Sequence, residues 1–230
     1  MDTWTILWII LVILVIGSFA ILIIFNNRQS ALEREIKEAI GQVGWKIHDD
    51  LITGSDSTGI SWQMGFSGEG INRSLHWTTT SVHLRKGALV IMPATTADIF
   101  SSANRRLAYR LIGSGKNWLE DGIMTLQQAT SRGKELALGT EDFRKHFSIY
   151  AINEEEAHTL IVPEIEAMLS HFPNKPGQPS TPVYVFLNHS VLQVYAETAE
   201  HSMDQITHIV MLGIALAHRV AEIQKEDANT

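Results

Sequence analysis

The first pattern along the chain is an apolar run, residues 4–25, that contains no charged side chain. A helix of this length spans about 33 Å at 1.5 Å per residue, which matches a hydrocarbon core about 30 Å thick. Asp2 is the only charged side chain before the run, and no small-residue cleavage site follows it, unlike in a secretory signal peptide. The pattern therefore predicts a retained, single-pass membrane anchor over residues 1–28. Its defining positions are Trp4, Trp8, Gly17, Phe25 and Arg28.

The basic residues beside this run predict its orientation. No Lys or Arg precedes it, whereas Arg28, Arg34 and Lys37 follow it. Lys and Arg next to a membrane helix remain mainly on the cytoplasmic side. The distribution therefore predicts that the domain after the run is cytoplasmic.

The next pattern, over residues 29–45, is an apolar stripe on a predicted helix. Ser30 and Glu33 have the spacing of a capping box, which predicts a helix start. Apolar side chains then recur at the intervals of one helix face, and these are Leu32, Ile36, Ile40 and Val43. A juxtamembrane helix over residues 29–45 must bury this face against something. We therefore predict the stripe as an interface with a membrane-protein partner or with a second copy of the chain.

Residues 46–140 change to a strand pattern. Gly, Ser and Thr become frequent, and β-branched and aromatic residues group together. The predicted strands are Ile60–Phe66, Leu75–Leu84 and Ala88–Met92. Two less regular segments, Ala97–Ile112 and Trp118–Arg132, are predicted as helices.

Residues 141–230 mix strand and helix patterns. A strand is predicted at Phe147–Ile152, and Asn153 then caps a helix that Pro163 interrupts or restarts. The later predicted elements are a hairpin of Val183–Leu187 and Val191–Ala196 and a closing helix from Ser202 to Gln224. Both faces of Val183–Leu187 are apolar, which predicts a central strand.

Together these elements predict an α+β fold. In this fold a single N-terminal transmembrane helix precedes a soluble domain of antiparallel β-strands and packed helices. The predicted divisions are the anchor 1–28, the juxtamembrane helix 29–45, a β-rich half 46–140 and a strand–helix–hairpin–helix half 141–230. The pattern leaves open whether the two halves share one core.

Composition excludes several kinds of partner and chemistry. The chain has 18 Lys and Arg against 25 Asp and Glu, and its net charge is −7. An acidic domain is repelled by phosphate backbones, so nucleic acid is not a predicted partner. The chain has no Cys. Disulfides, thiolate nucleophiles and Cys-type zinc sites are therefore excluded.

Two segments contain residues of the kinds found at metal or phosphate sites, but neither is a clear match to such a site. His201, Asp204 and His208 have spacings that place them on one helix side, where they could hold a metal ion. A solvated polar helix side is the alternative interpretation of the same three residues. Gly113–Asn117 lacks the first glycine and the hydroxyl residue of a phosphate-binding loop. The sequence therefore predicts no cofactor.

The segment Phe143–Ala151, followed by Asn153, Ala157 and Pro163 and then by a hairpin and a closing helix, resembles a family pattern. It is similar to bacterial membrane-anchored proteins of unknown function, over roughly residues 140–222. The resemblance implies a place in the bacterial inner (cytoplasmic) membrane and brings no catalytic residues.

These patterns favour a non-catalytic accessory or scaffolding subunit that is anchored in the membrane and binds a membrane-protein partner. The alternative is a membrane-tethered enzyme, or a ligand or metal sensor, with a pocket between the two halves of the soluble domain. A pocket with convergent polar groups would favour the alternative, and an exposed apolar surface would favour the accessory role.

Overall fold

The structure is a computed structural model, and it describes residues 36, 38–48, 51–67, 73–84, 87–101, 120–173, 181–198 and 202–228. Residues Met1–Gly44 and Trp45–Thr230 form two compact units. The first unit contributes helical residues 38–42 to the described part of the chain. All the strands and helices labelled below belong to the second unit.

Within the described residues, nine strands form one antiparallel sheet in the order β1-β2-β3-β4-β9-β8-β5-β7-β6. The first five strands are β1 Lys46–His48, β2 Leu51–Ser55, β3 Ser61–Ser67, β4 Arg73–Thr79 and β5 Leu89–Pro93. The last four are β6 Lys134–Leu136, β7 Phe147–Ala151, β8 Val183–Leu187 and β9 Leu192–Thr198.

Six helices of the second unit are described. They are α1 Ala94–Ser101, α2 Glu120–Arg132, α3 Glu141–His146, α4 Glu154–Leu160, α5 Pro163–Ser170 and α6 Met203–Ala228. Asn153 caps α4 by accepting a hydrogen bond from the Glu155 N–H. Pro163 begins α5, where its missing N–H costs nothing. The predicted interruption at Pro163 is therefore a restart of the helix.

Strand β8 is an interior strand beside the middle of the sheet, as its apolar faces predicted. All five of its residues are buried, and it lies between β9 and β5. Strand β4, from the first predicted half, pairs with β9 from the second. Strand β5 lies between β8 and β7. Strands from the two predicted halves, residues 46–140 and 141–230, thus belong to one sheet and share its core.

The turn between β8 and β9 is fixed by one buried side chain. The Asn188 Oδ1 atom accepts hydrogen bonds from the N–H groups of Ser190 and Val191, at 2.7 and 3.0 Å. Its Nδ2 group donates to the Thr125 hydroxyl oxygen of α2 at 2.6 Å. The side chain therefore closes the hairpin and joins it to α2.

Helix α6 lies across β4 and β9 and covers one face of the sheet. Its inward positions are buried, and among them are Ile206, Ile209, Val210, Leu212, Leu216 and Val220. At the closest point Gly213 lies against the indole ring of Trp77, whose side chain is 0% exposed. Trp62 of β3 extends this aromatic layer, with its ring centroid 6.5 Å from that of Trp77. The absence of a side chain at Gly213 lets the helix approach the sheet this closely.

The predicted fold class requires one correction. Within the described residues, the helix long and apolar enough to cross a membrane is Met203–Lys225, at the C-terminal end of the chain and not at its N-terminal end. Half of this segment is buried against the rest of the domain. A core helix that is also apolar on part of its outer side reaches the length and hydropathy of a membrane span without entering a membrane. The predicted anchor positions, which are Trp4, Trp8, Gly17, Phe25 and Arg28, lie outside the described residues, as does Gly113–Asn117.

The substitution Gly213→Ala tests the contact between α6 and the sheet. A methyl group at this position would overlap the Trp77 ring, so the helix must shift. We expect a loss of roughly 1–3 kcal/mol in the free energy of unfolding, measured by urea denaturation. Gly65→Ala is the control, because its added carbon meets only the Leu51 Cδ1 atom, at 3.9 Å. Equal effects of the two substitutions would contradict this account of the contact.

Candidate functional site

Polar side chains gather on the sheet face opposite α6. Alternate residues of a strand point to opposite faces, so Trp77 faces α6 while His76 faces away. The strand register places His76 opposite Tyr195, Ser74 opposite Glu197, and Tyr184 opposite Tyr195. We call these five residues, Ser74, His76, Tyr184, Tyr195 and Glu197, the sheet-face cluster.

His76 is the most perturbed member of this cluster. Its side chain is 8% exposed, and burial lowers its pKa to about 4. Burial has this effect because it disfavours the charged imidazolium. At neutral pH the ring is therefore uncharged and presents one N–H donor and one acceptor nitrogen.

The two tyrosines of the cluster also remain uncharged. Burial first, and the nearby Glu197 carboxylate second, raise the pKa of Tyr184 and of Tyr195 to about 12. The Tyr184 hydroxyl lies 3.2 Å from the Thr96 hydroxyl of α1, and Tyr195 is hydrogen-bonded to Ser74. Burial likewise raises the pKa of Glu197. The cluster thus combines neutral donors and acceptors with one carboxyl group.

This cluster is the arrangement nearest to the enzyme or sensor that the sequence left as an alternative. It joins β4 of the first predicted half to β8 and β9 of the second. A raised pKa keeps the two tyrosines protonated at neutral pH, so their hydroxyl groups are available as hydrogen-bond donors. Tyr184 and Tyr195 also border the apolar cluster beneath α1 and α2, which explains their burial structurally.

A second polar group joins the β2–β3 turn to α6. The Asp56 carboxylate accepts hydrogen bonds from the N–H groups of Thr58 and Ile60, each at 2.9 Å, and it pairs with the His218 Nε2 atom. Burial opposes ionisation of Asp56, but the hydrogen bonds from His218, Thr58 and Ile60 outweigh it and lower its pKa to about 2.

These three side chains do not form a nucleophilic triad. The Thr58 hydroxyl lies 3.4 Å from the same His218 Nε2 atom that contacts Asp56. In a triad the histidine uses one ring nitrogen for the carboxylate and the other for the nucleophile. The arrangement is therefore a structural connection between the turn and the helix.

The structure describes two of the three predicted metal candidates, Asp204 and His208. His201 lies outside the described residues, and Asp204 is exposed in the first turn of α6. The His208 Nε2 atom lies 2.7 Å from the Met168 carbonyl oxygen, to which it must donate. Burial lowers the pKa of His208, and its ring packs edge-on against Phe172. In the part of the chain that the structure describes, no three His, Asp or Glu side chains are grouped to hold a metal ion.

The predicted partner stripe is only partly described. Leu32 lies outside the described residues. Ile36 is half-buried, Ile40 is buried, and Val43 is 56% exposed. Its role in binding a partner stays a prediction.

A surface that the sequence analysis did not predict lies on the outward side of α6. Thr207, Met211, Ile214 and Ala215 share this side because they are three, four or seven residues apart. Met211 is 58% exposed, and the other three are half-buried. We call these four residues the α6 stripe. Its apolar positions were visible in the sequence, but only the packed structure shows which side of the helix faces outward.

No protein family model matches the sequence, and no curated protein matches it. Among solved structures, the chain is similar to the crystal structure of the mycobacterial trehalose monomycolate transport factor A, TtfA. The sequences are 9% identical, the match covers 82% of this chain and 93% of that chain, and the TM-score is 0.44. A likeness at this level carries no argument about function.

The substitution His76→Gln tests the burial of an uncharged imidazole. The folded-state pKa of about 4 lies below the ordinary histidine pKa of 6.5, so the unfolded chain binds a proton first as the pH falls. His76 should therefore cost stability as the pH falls from 6.5 to 4, by up to about 3 kcal/mol. We expect His76→Gln to flatten this loss in urea denaturation series, whereas His189→Gln, at an exposed position, leaves it unchanged. An unchanged pH slope in the His76 variant would refute the assignment.

The substitution Asp56→Asn tests the connection between the β2–β3 turn and α6. The folded-state pKa of about 2 lies below the ordinary aspartate pKa of 3.8. The contribution of Asp56 is therefore complete above pH 3.8 and is lost as the pH falls towards 2. We expect the variant to be less stable than the wild type by about 1 kcal/mol at pH 6, with a difference that shrinks below pH 4. Asp204→Asn is the matched exposed control, and a difference independent of pH would disprove the ionic contribution.

Proposed function

We propose that this protein is a membrane-associated, non-catalytic accessory or scaffolding protein that binds a membrane-protein partner or a second copy of itself. The observation that carries the proposal is the α6 stripe. A core helix ordinarily presents charged and polar side chains to water on its outer side. The middle of α6 instead presents Met211, Ile214 and Ala215.

Protein contact is the function that such a surface supports best. Met211 is exposed at the middle of the helix, and half-buried Ile214 and Ala215 lie beside it, so this side of α6 offers a protein partner one large apolar side chain with apolar neighbours. The inward side of α6 is packed in the core, so the helix presents its outer side in a fixed orientation. A preformed surface binds without the entropic cost of ordering a flexible segment.

The amino-acid sequence supports the membrane part of the proposal. Arg28, Arg34 and Lys37 are grouped in the chain, and basic residues beside a membrane lie mainly on its cytoplasmic side. We propose the cytoplasmic face of a bacterial inner membrane as the location of the domain. Attachment to a membrane raises the effective concentration of the domain near membrane proteins, so weak contacts become sufficient.

The stripe of Leu32, Ile36, Ile40 and Val43 is a second proposed contact in this role. Val43 supports it, because this large apolar side chain is more than half exposed. The stripe follows the apolar run closely in the sequence.

Gentle detergent extraction of the tagged full chain from its native cells tests the proposal. We expect a stoichiometric partner, or copies of the chain itself, to co-purify with the wild type. Met211→Glu should reduce this capture roughly tenfold or more, because a charge in an apolar contact must be desolvated. Met124→Glu is the matched control, since Met124 lies on α2 and is exposed to a similar extent, 55%.

Capture that is equal for the wild type and both variants would remove the α6 stripe from the proposal. A wild-type chain that is found in the soluble fraction as a monomer without companions would reject the proposal as a whole.

A further inference from the structure

We draw no further inference here: the strongest candidate, the sheet-face cluster on β4, β8 and β9 opposite α6, rests on pKa shifts whose largest cause is burial, and nothing in the described residues points to a ligand there.

Discussion

The close approach of α6 to the sheet at Gly213 and Trp77 is the contact on which the rest of the domain depends. The indole ring fills the space that a side chain at position 213 would occupy. This contact sets the depth and the rotation of α6 over β4 and β9. The rotation then decides which residues of the helix are core and which face outward, and so it creates the α6 stripe.

The same rotation explains why α6 has the length and apolarity of a membrane span. Its inward side is apolar because it covers Trp77 and the central strands, and part of its outward side is apolar as well. Summed along the helix, the two sides give a hydropathy that composition alone does not distinguish from that of a lipid-facing helix. The packing distinguishes them, because removing α6 from the domain would expose the buried centre of the sheet to water.

The two faces of the sheet bury different sets of side chains. The α6 face buries aromatic and aliphatic groups around Trp62 and Trp77. The opposite face buries the apolar cluster beneath α1 and α2, and beside it His76 and the two tyrosines in their uncharged forms. His76 loses its proton readily, and Tyr184 and Tyr195 retain theirs, because burial penalises whichever form is charged. A buried polar cluster of this kind avoids the cost of an unpaired charge.

The sequence by itself determined those elements that depend on neighbouring residues alone. Val183–Leu187 is apolar on both faces and is a central strand, Asn153 caps a helix, and Pro163 restarts one. The three-residue strands β1 and β6 and the six-residue α3 are too short to show a period, so no pattern predicted them.

The tertiary structure decided the strand order, because β4 meets β9 and β5 meets β8 through pairings between distant segments. It also decided the sheet-face cluster, the connection from Asp56 to His218, and the donation by His208 to the Met168 carbonyl group. Each of these is a contact between residues far apart in the chain. A periodic pattern reports which face of an element is apolar, whereas the partner of that face is set by how all the elements pack together.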